Sequence, residues 1–184
     1  MIISHTNKFI FIKSEKTAGS SVELAISKSL KKNDIWIEGS HMTPHEILEQ
    51  YGNTMFNKYF KFSIVRNPFD KMVSHYFWQQ HLEPNRFNSF EEFINFMYQN
   101  KAISSWRFFS INGQFILNGI ATFENLQNDL KNCTIDIPID ISNIFEKSNI
   151  RPANIEYQEM YTRVTKKMVE EQCVNEIAMF DYKF

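Results

Sequence analysis

The chain has 184 residues, 43% hydrophobic, 22% charged and 15% aromatic, with a formal net charge of −1. That length suits one domain, which buries roughly 70% of its unfolded-chain surface. Eighteen phenylalanines exclude a disordered chain, and no apolar run approaches the ~20 residues that cross a bilayer. The near-zero charge also argues against a broad nucleic-acid surface, so any positive charge for an anionic ligand must be local.

Residues 1–13 show no basic segment followed by a long apolar stretch, so no signal peptide is expected and the expected location is cytoplasmic. Cys133 and Cys173 are too few and too far apart for a metal knuckle or disulfide framework, and are expected as packed free thiols. Without repeats, low-complexity tracts or a linker, residues 1–184 read as a single domain.

Lys8 to Ile12 is short, apolar and β-branched or aromatic, the pattern of a buried strand. Gly19 to Lys32 then spaces Val22, Ala25, Ile26 and Leu30 on one helical face, with Glu23 early and Lys28, Lys31 and Lys32 late, as the helix dipole favours. Asp34 to Glu38 is a weaker strand candidate. Thr43-Pro44-His45-Glu46 has the form of a capping box, predicting a helix to about Gln50 that ends near Gly52. Phe60 to Val65 predicts a second strand, and Asn67-Pro68-Phe69-Asp70 starts a helix running to about Gln80. Helix is expected again over Glu91 to Tyr98, strand over Ile120 to Phe123 and helix over Glu124 to Asn132. Val164, Met168, Val169, Cys173 and Ile177 stripe one charged C-terminal helix. Strands separated by helices imply βαβ units and an α/β fold.

Two strand–helix junctions carry the chemistry. In Lys13-Ser14-Glu15-Lys16-Thr17-Ala18-Gly19-Ser20-Ser21, small residues let backbone N–H groups approach an anion at a helix N-terminus, and Lys16 adds a point charge. A solvated turn with a capping serine is the plain alternative. The lysine precedes the glycine, unlike a Walker A loop, and no Mg²⁺-holding acid is recognisable. The second junction places Arg66 at the C-terminal edge of a strand, where α/β sheets bind ligands. Ser74 follows about two helical turns later. Arginine grips phosphate bidentately and Ser74 can add a hydroxyl. The plain alternative is that Arg66 pairs with Asp70 and Ser74 merely packs.

Together these strings resemble the signatures of sulfotransferases that use 3′-phosphoadenosine 5′-phosphosulfate (PAPS), closest to small bacterial and carbohydrate-type members. Lys16 to Ser21 resembles the 5′-phosphosulfate loop, and Arg66 to Ser74 the 3′-phosphate motif. Ser40 to Ile47, Phe123-Glu124-Asn125-Leu126 and Asp181-Tyr182-Lys183-Phe184 extend the resemblance in order along the chain. It implies a P-loop-like three-layer α/β fold with a central parallel sheet flanked by helices, and transfer of the sulfuryl group of PAPS to a carbohydrate or small-molecule hydroxyl without a metal. Lys16, Thr17, Ala18, Gly19, Ser20 and Ser21 would hold the phosphosulfate. Arg66 and Ser74 would hold the 3′-phosphate. Arg151 resembles a late basic residue that touches the nucleotide.

The chain departs from a frequent family form in having Glu15, not proline, before the loop lysine. An acid there must point away or pair with Lys13. Histidine is the usual base near neutral pH, and His41 stands in a loop comparable to that of the catalytic histidine in carbohydrate-type relatives, with Glu124 as its rival. Two further functions stay open at this stage: an ATP-dependent P-loop-type phosphotransferase and a non-catalytic nucleotide-binding protein of the same fold. The aromatic stretch from Phe77 to Phe109 reads mainly as core.

Overall fold

A computed structural model describes residues 1–132, 139, 141, 150–152 and 154–184. Two compact units emerge, one built on Met1–Val65 and the stretch from Arg107, the other on Arg66–Trp106 and the stretch ending at Phe184.

In the first unit, β1 (Ile2–Ser4), β2 (Phe9–Phe11), β3 (Ile35–Trp36), β4 (Phe60–Val65) and the later Gly119–Thr122 strand form one sheet. With β5 (Ser110–Ile111) and β6 (Gln114–Phe115) forming a separate hairpin, that later strand is β7, and the sheet order is β3-β1-β2-β4-β7. The expected parallel pairing holds over β2, β4 and β7, with Phe11 opposite Phe62 and Ile64 opposite Ala121. The edge beyond β2 corrects it: β1 pairs antiparallel with both β2 and β3, so the sheet is mixed. A tight turn through Thr6 and Asn7 folds β1 onto β2, and Lys8 at φ 54° closes it. Hairpins of this kind need no crossover helix.

Helix α1 (Gly19–Ser27) buries Val22, Ala25 and Ile26 against Phe9, Phe11, Phe62 and Ile64. It stops five residues short of the predicted Lys32, because the Ser27 and Ser29 hydroxyls bond the Leu24 and Ile26 carbonyls. Serine competes with the backbone in this way. Helix α2 (Pro44–Tyr51) has the full predicted capping box between Thr43 and Glu46, and Gly52 at φ 88° ends it. A short α3 (Asn53–Lys58), absent from the sequence expectation, follows directly. Lys61 lies buried within β4, where its ammonium donates to the carbonyls of Phe56 (3.0 Å) and Tyr59 (2.9 Å) and burial pushes its pKa down.

The second unit is helical: α4 (Pro68–Leu82), α5 (Phe90–Gln99), then, beyond α6 (Leu126–Asn132) of the first unit, α7 (Arg163–Gln172) and α8 (Val174–Phe180). Phe69, Met72, Val73, Phe90, Phe93, Ile94 and Val169 form its core. The single C-terminal helix expected from the apolar stripe is broken at Cys173, whose φ of −105° and ψ of 24° leave the helical range. Cys173 is a buried free thiol, and burial pushes its pKa up to about 12. Cys133 falls outside the described residues. Phe87, Phe90, Phe93, Phe108 and Phe109 of the aromatic stretch are buried, Phe77, Trp78, Tyr98 and Trp106 are half-buried, and Phe96 is exposed.

Candidate active site

The loop after β2 is held from below. Ile12 N–H donates to the Phe62 carbonyl (2.9 Å) and the Ser14 hydroxyl to the Ile64 carbonyl (2.5 Å), so the loop rests along the C-terminal end of β4. The Thr17 hydroxyl bonds inward to the Ser14 carbonyl at 3.2 Å, so only its backbone is left to face a ligand. Lys16 at φ 57° and Ala18 at φ 60° both adopt the left-handed conformation. Residues with a Cβ resist that region, and it persists only where surrounding structure imposes it. Left-handed residues alternating with ordinary ones turn successive N–H groups toward one concavity, a shape suited to an anion. Ala18 is also the N-cap of α1 and, as alanine, supplies no side-chain cap to its first turn.

Beneath the loop lies a buried ion pair. The Lys13 ammonium donates to Glu23 Oε2 at 2.6 Å, and both side chains are almost wholly buried. The amino group of Met1 contacts the other Glu23 oxygen and donates to the carbonyls of Ile37 (3.1 Å) and Ser40 (3.2 Å). Gly19 is required here by space, since a Cβ would stand 2.7 Å from Lys13 Cγ. Of the two alternatives for Glu15, pointing away or pairing with Lys13, the second is not taken: Glu15 accepts from Arg107 at 2.9 Å. Lys13 is committed to Glu23, and Arg107 lies across the Phe108 ring, 4.8 Å from its centroid.

His41 joins this loop. Its Nδ1 lies 3.1 Å from the Lys13 carbonyl oxygen, and its ring centroid lies 6.3 Å from that of Phe108. A carbonyl only accepts, so Nδ1 carries the proton and Nε2 keeps its lone pair. One edge of His41 is open to solvent, yet desolvation of the ring holds its pKa below the ordinary histidine value. Glu124, the rival base, sits exposed in the 3-10 turn Phe123–Asn125 just after β7. Strand β7 is two strands away from β2, roughly 10 Å across the sheet. His45 instead faces Glu49 at 3.4 Å on an exposed helix face.

The second junction places Arg66 directly after β4 and before α4, whose Asn67 caps it by accepting from Phe69 N–H at 3.0 Å. Arg66 donates from Nε and Nη2 to Asp70 Oδ2, each at 2.6 Å. The plain sequence alternative, an Arg66–Asp70 pair, is therefore present. Arg151 bonds the other Asp70 oxygen through Nη1 and the Ile155 carbonyl through Nη2. Ser74 is one turn beyond Asp70, on the same helix face. The Arg66–Asp70 pair, four residues apart, was readable in the sequence, whereas the pairing of Glu15 with Arg107 and of Asp70 with Arg151 had no sequence signal, since those partners lie far apart in the chain.

A family model described as "Sulfotransferase family" matches residues 1–178. The chain belongs to the sulfotransferase family, a family of transferases that move sulfuryl groups, generally from PAPS. No curated protein and no solved structure matches the chain. Among the described residues, no helix is long and apolar enough to cross a membrane.

Proposed function

We propose that this chain is a PAPS-dependent sulfotransferase acting on a hydroxyl of a carbohydrate or small metabolite, with residues 1–184 forming one cytoplasmic catalytic domain of P-loop-like design. The observation that carries the proposal is the loop after β2. Two residues with side chains, Lys16 and Ala18, are held left-handed at the uncapped start of α1 in a chain of the sulfotransferase family. Such a loop suits a phosphosulfate, and PAPS supplies the activated sulfuryl group. In this reading the N–H groups of Thr17 to Ser21 bind its oxygens. Lys16 stands where negative charge grows on the leaving phosphate, the position at which fixed positive charge lowers a barrier most. Arg66, Ser74 and Arg151 bind the 3′-phosphate and so select PAPS over nucleotides that lack it.

His41 is the base. Its Nδ1 proton is committed to the Lys13 carbonyl, which orients the ring and leaves Nε2 to take the acceptor's hydroxyl proton. The Lys13 and Ser40 carbonyls tie the histidine and the phosphosulfate loop into one hydrogen-bonded assembly. Sulfuryl transfer asks mainly for alignment and charge stabilisation, as phosphoryl transfer does, and these residues supply both without a metal.

Calorimetry with the product nucleotide, 3′-phosphoadenosine 5′-phosphate (PAP), tests the cofactor. Wild type should bind it and Arg66→Ala should bind it more weakly; no binding, or equal binding, would sink the reading. His41→Ala should lose turnover on a hydroxyl panel while keeping PAP affinity. Retained turnover would reassign the base, and magnesium-dependent ATP hydrolysis by wild type would point to phosphoryl transfer instead.

A further inference from the structure

Asp70 occupies the third position of α4, where an acid normally does no more than complement the helix dipole. Here its carboxylate is 18% exposed and engages two guanidiniums, Arg66 on Oδ2 and Arg151 on Oδ1. Arg151 is itself steered by the Ile155 carbonyl, so its fork is held from two sides. The three side chains together carry one positive charge, and Ser74 lies one turn further along the same face.

We propose that Asp70 is a positioning residue that holds Arg66 and Arg151 converged and thereby gives this protein its discrimination for a nucleotide bearing a 3′-phosphate. The inference rests on the PAPS reading above. Two effects oppose each other at Asp70. A carboxylate repels an incoming phosphate, which by itself would weaken binding. The same carboxylate offsets the repulsion between two like-charged guanidiniums and removes rotamer freedom that phosphate would otherwise have to quench on binding. Because guanidinium donors cover both its oxygens, its charge is largely spent before a ligand arrives, while the geometric gain remains. Positioning therefore outweighs repulsion, and the sign of the effect is measurable.

The test is calorimetry on the full chain with PAP and with adenosine 5′-phosphate, which lacks only the 3′-phosphate. Wild type should prefer PAP. In Asp70→Ala that preference should shrink about tenfold, the scale of a charge-assisted bidentate contact, while adenosine 5′-phosphate affinity stays within about twofold. Asp70→Asn, which preserves volume and one acceptor oxygen, should lose preference to an intermediate degree and serves if the alanine variant does not fold. A change that weakened both nucleotides equally would mark Asp70 as merely structural and overturn the inference. So would a preference that held or increased, which would mean that repulsion wins. If wild type fails to distinguish the two nucleotides, the PAPS reading falls and the inference with it.

Discussion

The loop from Ile12 to Ala18 and the segment from Arg66 to Ser74 both follow a strand and lead into a helix, yet they organise positive charge differently. The first works through backbone: left-handed residues and an uncapped helix start, braced by a Lys13–Glu23 pair with almost no exposure. The second works through side chains that reach partners across the surface, with Arg66 11% exposed and Arg151 22% exposed. Backbone N–H groups have fixed geometry once the fold forms, so the first loop cannot change without disturbing the sheet beneath it. Guanidiniums on long stems depend for their place on a counter-charge, here the carboxylate of Asp70. Under the proposed function, the backbone cradle takes the reacting end of the donor and the braced arginines the end that only identifies it.

The strongest way to break this contrast is Glu23→Gln. It would leave the Lys13 ammonium buried without its counter-charge, and removal of one partner of a buried pair costs about 3 to 5 kcal/mol. Chemical denaturation should show that loss, and adding Lys13→Met should restore much of it. If Asp70→Asn destabilised the protein equally, the two junctions would not differ in kind. Lys16→Ala should lower kcat by about 10²- to 10³-fold on any acceptor the enzyme turns over, as removal of one fixed group that stabilises transition-state charge does. A loss confined to KM would place Lys16 in ground-state binding instead.

Gly19→Ala comes next. The added methyl would press on the Lys13 stem, so about 1 to 3 kcal/mol of stability should be lost in thermal denaturation. His41 sharpens the comparison through pH. Desolvation holds its pKa below the ordinary value, so the neutral base persists at pH 7, and kcat/KM should fall only as pH drops below about 6.5. An acid limb at higher pH would contradict that assignment. The smallest effect belongs to Arg107→Ala. The Arg107–Glu15 pair is substantially exposed, so stability should change by no more than about 1 kcal/mol by denaturant titration.

Much of the fold was legible locally. The Thr43–Glu46 capping box, the Asn67-Pro68 start of α4 and the apolar run of β4 depend on neighbours within a few residues, and each appears as expected. Strand β1 and the β5–β6 hairpin were missed. For the hairpin a signal existed: Asn112 and Gly113 take φ of 50° and 78°, the left-handed pair that an Asn-Gly turn adopts. The break at Cys173 had no such mark, because the apolar stripe continues through it.

In the candidate site, residue types were readable, and of the partners only the local Arg66–Asp70 pair was. A lysine ahead of small residues at a helix start, and an arginine at a strand's end, raise the expectation of an anion site through composition and order alone. Those properties belong to the chain before it folds. The choice of Glu23 for Lys13, Arg107 for Glu15, the Lys13 carbonyl for His41 and Arg151 as a second partner for Asp70 was made by the tertiary structure. Pairing of this kind depends on distance in space, and burial decides which charge must find a counter-charge; neither quantity is written in the order of residues.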